Sequence, residues 1–353
     1  MPKIRKLVLE ISNPCNEHCV HCYRTCDSIK QGFLSLDDVK SIFGEIASVR
    51  EKQLNVTITG GEPLLNKNWR EILSYSIACR SKTSLFTNAS TMTEDDVEFL
   101  ANFRGNPLFR EIQISLYSLQ PEIHDAVTGL KGSCLKTLNA IKKLKKAGVN
   151  ICVSCPVMKI NKDTVPNLMR YMDQNGIGSC ADLAIFPSSD YEFENKEQTL
   201  FRCDLEAFFE ETSKNNFELG YVWRTAHSRD NIFDSLFYEA AAYGIVVSGD
   251  GNIYPMTGWY EKMGNIHEDS ILDIFLNHPL LKKCRKIRIG DFKECRCCSA
   301  IEYCSFYPTT HLTANQGQLM KLNKDYCDYV HLIKMMAERR DREIAKNGNF
   351  NKI

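Results

Sequence analysis

Over about the first 215 residues, short apolar runs alternate with amphipathic stretches. The run at 5–11, containing Leu7-Val8-Leu9-Glu10-Ile11, predicts a short buried strand. Ser35-Leu36-Asp37-Asp38 has a capping-box pattern, and Val39, Ile42, Phe43, Ile46 and Val49 then recur on one helical face. Further strands are predicted at 54–59, 84–88, 111–116, 149–157 and 182–186. Between them, Trp69, Ile72, Leu73 and Ile77 mark one helix, and Thr93 opens another that runs to about Phe103. Leu135, Leu138, Ile141 and Leu144 give a third helix, stopped by Gly148, and a fourth runs from about Asp163 to Asn175. Lys136, Lys142, Lys143, Lys145 and Lys146 lie on the third helix, whose apolar stripe is already accounted for, so they read as a solvated face. Six strand–helix alternations favour a parallel sheet with helices outside it, binding ligands at the C-terminal ends of its strands.

The rhythm stops after residue 186. Residues 187–200 are polar and turn-like, Leu205–Asn216 reads as a helix, and a boundary is expected within 217–235, giving units 1–216 and 217–353. Ile245-Val246-Val247 and Ile253-Tyr254-Pro255 flank a Gly-rich turn as a β-hairpin, and a helix from about Ser270 to Leu276 follows. Composition changes the picture in two ways. Lys plus Arg equals Asp plus Glu at 44 each, so no global charge points to nucleic acid or an anionic membrane. Sixteen cysteines in a long chain with no signal-peptide pattern or membrane-spanning run point to thiolate chemistry in a reducing cytoplasm, not to a disulfide scaffold.

The cysteines carry the chemistry. Cys15, Cys19 and Cys22 form a C-x3-C-x2-C array on a loop leaving the first strand's C-terminal end. Three thiolates on such a loop suit a [4Fe-4S] cube with one iron left open, whereas four close a cluster for electron transfer. A zinc loop completed by His18 or His21, or three ordinary cysteines, are the alternatives. After the second strand comes Gly60-Gly61-Glu62-Pro63, where two glycines permit close backbone approach and Glu62 offers acceptors to an ammonium group.

Together the array and the turn resemble the radical S-adenosylmethionine (SAM) superfamily. The resemblance implies a partial (β/α)6 TIM-like barrel with a smaller C-terminal α+β iron–sulfur domain. It implies that Cys15, Cys19 and Cys22 hold a [4Fe-4S] cluster whose open iron binds SAM, with Gly60, Gly61, Glu62 and Pro63 at the SAM amine. Reductive cleavage of SAM then gives a 5′-deoxyadenosyl radical that abstracts hydrogen, chemistry that the cofactor carries and the protein positions. Asn88 matches the usual Thr-Asn-Gly turn, with Ala89 in place of Gly. Ser115 matches the serine of a Ser-Leu-Asp-Gly signature that commonly lies near SAM, although here Tyr117 replaces the acid. A plain strand-end serine is the alternative for Ser115. His124-Asp125 matches the family's His-Asp segment, and Thr128 stands where some members carry an SAM-binding Arg.

Cys295, Cys298, Cys304 and Cys327 follow a C-x2-C-x5-C…C pattern, a closed site for structural zinc or an electron-relaying [4Fe-4S] cluster. Their surroundings resemble the SPASM extension of radical SAM enzymes, shortened, because Met256 and Pro308 stand where ligands of a further cluster are usual. Two [4Fe-4S] clusters are therefore expected. Most of the other nine cysteines read as small apolar residues; Cys297 sits between two ligands, and Cys26, beside the SAM cluster, reads as a structural cysteine, with a hydrogen donor as the alternative. The resemblance favours oxidative modification or crosslinking of a ribosomally made peptide. The alternatives are a dehydrogenase or cyclase acting on a sugar- or nucleotide-like small molecule, and a non-catalytic iron–sulfur or zinc scaffold. Expected partners are a peptide and an electron donor such as flavodoxin or ferredoxin; because no long extension precedes the first strand, a leader peptide is expected to dock on a separate leader-binding protein or on the barrel itself.

Overall fold

The computed structural model describes residues 1–24, 32–183, 185, 197–200, 202–214 and 231–347. Six strands run parallel in chain order: β1 (Ile4–Ser12), β2 (Arg50–Gly60), β3 (Lys82–Thr87), β4 (Phe109–Ser115), β5 (Ile151–Pro156) and β6 (Gly178–Asp182). Each hydrogen-bonds to the next. Helices Leu36–Ile46, Trp69–Ala78, Glu94–Ala101, Ser133–Lys146 and Val165–Gln174 fill the connections, giving a partial (β/α)6 barrel. On the far edge of β1, β7 (Gly244–Val247) pairs in parallel, and β8 (Asn252–Tyr254) and β9 (Gly264–Asn265) add antiparallel strands. The hairpin read from the C-terminal sequence thus continues the barrel's own sheet, in the order β6-β5-β4-β3-β2-β1-β7-β8-β9.

Alternation along the strands sorts the two faces. Leu7, Leu9 and Ile11 of β1, Leu54, Val56 and Ile58 of β2, and Ile151, Val153 and Cys155 of β5 are buried in one core with helix residues such as Ile42, Phe43, Ile72 and Leu144. The intervening positions on β4 and β5 are Gln113, Ser115, Cys152 and Ser154, all only partly buried. This polar inner face leaves a place for ligands. The predicted capping box at Ser35 is present, with Asp38 N donating to the Ser35 hydroxyl at 3.1 Å and Ser35 N donating back to the Asp38 carboxylate at 2.8 Å.

Two expectations need correction. β6 is Gly178–Asp182 and shares only Asp182 with the expected 182–186, of which residues 184 and 186 lie outside the described residues. The apolar Leu183–Phe186 stretch drew the prediction, but the preceding helix ends at Gln174 and Gly176 turns the chain at φ +61°, so pairing with Cys152–Pro156 begins at once. A strand made of Gly, Ser, Cys, Ala and Asp has little apolar signal to find. The second correction is a helix, Pro121–Thr128, that periodicity did not reveal. It has only eight residues, begins with Pro and ends on left-handed Gly129 at φ +67°. This helix positions the cysteine loop.

Candidate active site

The loop Asn13–Tyr23 leaves β1 and is held on three sides. On the first side, Gly61 N donates to Ser12 O at 2.7 Å and Glu62 N to Pro14 O at 2.9 Å, stitching the Gly60–Pro63 turn to the cysteine loop. A Cβ on Gly61 would lie 2.4 Å from Pro14 O, and one on Gly60, at φ +154°, would lie 2.3 Å from Ser12 O. The glycines are therefore required by the approach of the cysteine loop itself. On the second side, His18 N donates to Thr128 O at 2.8 Å and Val20 N to Val127 O at 2.9 Å, docking the loop on the C-terminal carbonyls of the Pro121–Thr128 helix. On the third side, Gly249 N and Arg24 Nη2 both donate to Asn13 Oδ1 at 3.0 Å. Arg24 also pairs with fully buried Glu10 at 3.2 Å, and Tyr260 OH donates to the same carboxylate at 3.1 Å. The turn between β7 and β8 and the segment around Tyr260 thereby press on the cysteine loop.

Glu62 is fully buried, and its carboxylate accepts from Thr87 Oγ1 at 2.5 Å, Asn88 N at 2.8 Å and Leu64 N at 3.0 Å. Burial pushes its carboxyl up to about 7, against the pull of those three donors. Its side chain is thus engaged in tying the β2 turn to the β3 turn. Glu17, between the first two cysteines of the loop, is also raised to about 7 by burial and by the charge of Glu62.

The cysteine sulfurs face hydrogen-bond donors. Glu17 N donates to Cys15 Sγ at 3.5 Å and Asn88 Nδ2 reaches the same sulfur at 3.9 Å. Asn88 also donates to Asn16 Oδ1 at 3.0 Å, and Asn16 donates to Ser90 Oγ at 2.8 Å. Cys19 Sγ lies 3.7 Å from the Tyr117 hydroxyl and 3.8 Å from Glu17 Oε2. Cys22 N donates to Cys19 O at 2.9 Å, which closes the turn between them. Ser115 lies at the end of β4, with its hydroxyl beside the Tyr117 phenol. His21, which burial lowers to about 4, packs edge-on to Tyr117 at 4.9 Å. The donors aimed at Cys15 Sγ and the hydroxyl beside Cys19 Sγ fit thiolate ligation of an iron–sulfur cluster by this three-cysteine loop. No three described His, Cys, Asp or Glu side chains are gathered so as to hold a single metal ion.

Residues 9–172 match the radical SAM superfamily. The chain carries a radical SAM domain. That family implies S-adenosylmethionine and one [4Fe-4S] cluster. The radical SAM chain is similar to the antilisterial bacteriocin subtilosin biosynthesis protein AlbA of Bacillus subtilis (strain 168), at 26% identity over 304 residues, 81% of this chain and 62% of AlbA. This chain therefore spans less than two thirds of AlbA's length. It is also similar to the AdoMet-dependent heme synthase of Methanosarcina barkeri (strain Fusaro / DSM 804), at 25% identity over 327 residues, 85% of this chain and 92% of the synthase. In fold it resembles anSMEcpe, solved with bound AdoMet and a Cp18Cys peptide, with a TM-score of 0.71 at 19% identity over 98% of this chain and 99% of that one.

Of the residues singled out in the sequence, Cys15, Cys19, Cys22, Gly60, Gly61, Glu62, Pro63, Asn88 and Ser115 meet at the C-terminal ends of β1–β4 in this radical SAM domain. Cys26 lies outside the described residues. Sequence reasoning missed Glu17, Tyr117 and the carbonyls of Val127 and Thr128. Only Tyr117 left a signal, by standing where an acid was expected.

Cys295, Cys298, Cys304 and Cys327 form a second group. Burial pushes the Cys295 thiol up to about 12, and the charges of Cys304, Cys327 and Cys298 act in the same direction. Phe306 N donates to Cys304 Sγ at 3.4 Å, and His331 Nε2, one turn beyond Cys327 on the helix Lys324–Asn347, lies 3.6 Å from Cys298 Sγ. Cys297 is exposed. No described helix is long and apolar enough to cross a membrane.

Proposed function

We propose that this chain is a radical SAM enzyme that oxidatively modifies or crosslinks a ribosomally made peptide. The observation that carries the reading is the stitched pair of loops: a three-cysteine array bonded through main chain to the Gly60–Pro63 turn at the mouth of the barrel. Cys15, Cys19 and Cys22 would hold the cluster and leave a fourth position to SAM. When bound and reduced, the cluster and SAM supply a 5′-deoxyadenosyl radical. The chain's own residues do the positioning. Asn88 and Glu17 N direct hydrogens at Cys15, and Glu62 fixes the β2 and β3 turns relative to each other. The Gly60–Pro63 turn, Glu62 included, would receive the SAM amine.

Cys295, Cys298, Cys304 and Cys327 would hold a second, closed [4Fe-4S] cluster. A new crosslink removes two hydrogens from the substrate. One leaves as a hydrogen atom to the radical, the other as a proton and an electron, and a closed cluster is a suitable acceptor for that electron. AlbA's role in bacteriocin biosynthesis and the peptide bound to anSMEcpe support a peptide substrate. An electron donor of the flavodoxin or ferredoxin class would reduce the barrel cluster, and a separate leader-binding protein or the barrel itself would hold a leader peptide. The nearly full-length similarity to a heme synthase favours a second reading, oxidation of a small molecule.

Reconstituted protein is expected to hold about eight irons per chain, two cysteine-ligated four-iron clusters. Incubated with reductant, SAM and a candidate precursor peptide, it is expected to give a peptide lighter by two hydrogens, read by mass spectrometry. Four irons with zinc in the C-terminal site would overturn the second cluster. An unmodified peptide together with a modified small-molecule substrate would favour the second reading.

A further inference from the structure

Tyr117 departs from the pattern its surroundings follow: it occupies the acid's place in the signature after Ser115, and its hydroxyl comes within 3.7 Å of Cys19 Sγ. The side chain is 4% exposed and packs with Val127, Met158 and Cys19 in a small cluster of its own. The ring is fixed from both sides, by His21 edge-on at 4.9 Å and by His124 tilted at 5.3 Å. The main chain is fixed too, because Tyr117 N donates to His124 Nδ1 at 3.2 Å. The acceptor role of Nδ1 puts the proton of a neutral His124 on Nε2. Phenol, ring and backbone are therefore all held with the hydroxyl against this sulfur, beside the Ser115 hydroxyl.

A thiolate bound to iron has no proton to give, so across this contact the phenol is the donor. A hydrogen bond to a ligand sulfur stabilises the more electron-rich, reduced cluster and raises its potential. We propose that Tyr117 is a positioning residue that donates its hydroxyl hydrogen to Cys19 Sγ and sets the reduction potential of the SAM-binding cluster. The inference rests on the assignment of Cys15, Cys19 and Cys22 as that cluster's ligands.

The test is an anaerobic redox titration of the reconstituted full chain, followed by electron paramagnetic resonance. The signal that changes when SAM is added reports the barrel cluster and separates it from any second one. Tyr117→Phe keeps the ring and deletes only the donor. It is expected to make reduction of that cluster about tenfold less favourable, a downward shift of 59 mV for one electron. Replacing Tyr117 with a ring-fluorinated tyrosine, a stronger donor of nearly the same shape, is expected to move the potential upward, and this variant serves if the Phe variant does not fold. A SAM-responsive cluster whose potential is the same in wild type and in either folded variant overturns the inference and leaves Tyr117 a packing residue. A wild-type protein that builds no SAM-responsive cluster overturns the ligand assignment and the inference with it.

Discussion

Cys19→Ala is expected to abolish reductive cleavage of SAM and to lower the iron content by about half, from two four-iron clusters to one. Cys19 is the middle cysteine of the array. Its carbonyl accepts from Cys22 N at 2.9 Å, and its sulfur meets Tyr117 and Glu17. Removing the sulfur leaves Cys15 and Cys22, and two thiolates cannot hold a cube with one open iron. The loop itself should persist, because its anchors are main-chain bonds: His18 N and Val20 N to Thr128 O and Val127 O, and Gly61 N and Glu62 N to Ser12 O and Pro14 O. Loss of activity would then report the ligand and not the fold. The measurements are iron content and chromatographic detection of 5′-deoxyadenosine under reducing conditions; a variant that still forms it would show that the array is not the site.

Cys304→Ala is expected to divide the two halves of the reaction: SAM cleavage continues, while substrate product falls to a small fraction of wild type. The C-terminal cysteines lie far along the chain from the barrel loop, yet β7 pairs with β1 and the turn after it bonds to Asn13, so the second unit is joined to the first. If that unit only staples the final helix, a folded variant lacking the cluster will give full product yield. If it accepts the electron left after hydrogen abstraction, cleavage without product will follow. Cys297→Ala is the control: Cys297 is exposed between two proposed ligands, and its loss should change neither iron content nor yield.

Much of the barrel was legible because its strands and helices have different hydrophobic periods, and the apolar runs of β1, β2 and β4 place their ends within a few residues. β6 was misplaced because Gly178-Ser179-Cys180-Ala181-Asp182 lines a polar interior and is set by a short connection, which leaves no apolar run to read. The helix Pro121–Thr128 was missed because eight residues make too short a stripe, and its importance lies in two backbone carbonyls that side-chain patterns do not report. In the site, the residue types were legible and their uses less so. Gly60 and Gly61 read as an approach for a ligand; the structure adds that they also admit the cysteine loop. Glu62 reads as an acceptor for an ammonium group; the structure adds that three internal donors make it a brace between two turns. These contacts join residues about 25 to 50 apart in sequence, which no local pattern encodes.

The most direct test of the central claim, that the Asn13–Tyr23 loop and the Gly60–Pro63 turn form a working SAM-cleaving centre, is to measure 5′-deoxyadenosine from the reconstituted wild-type chain given SAM and a strong reductant without oxygen. Release of 5′-deoxyadenosine and methionine, dependent on both reductant and iron, is the expected result; a fully iron-loaded, reduced protein that leaves SAM intact would contradict it.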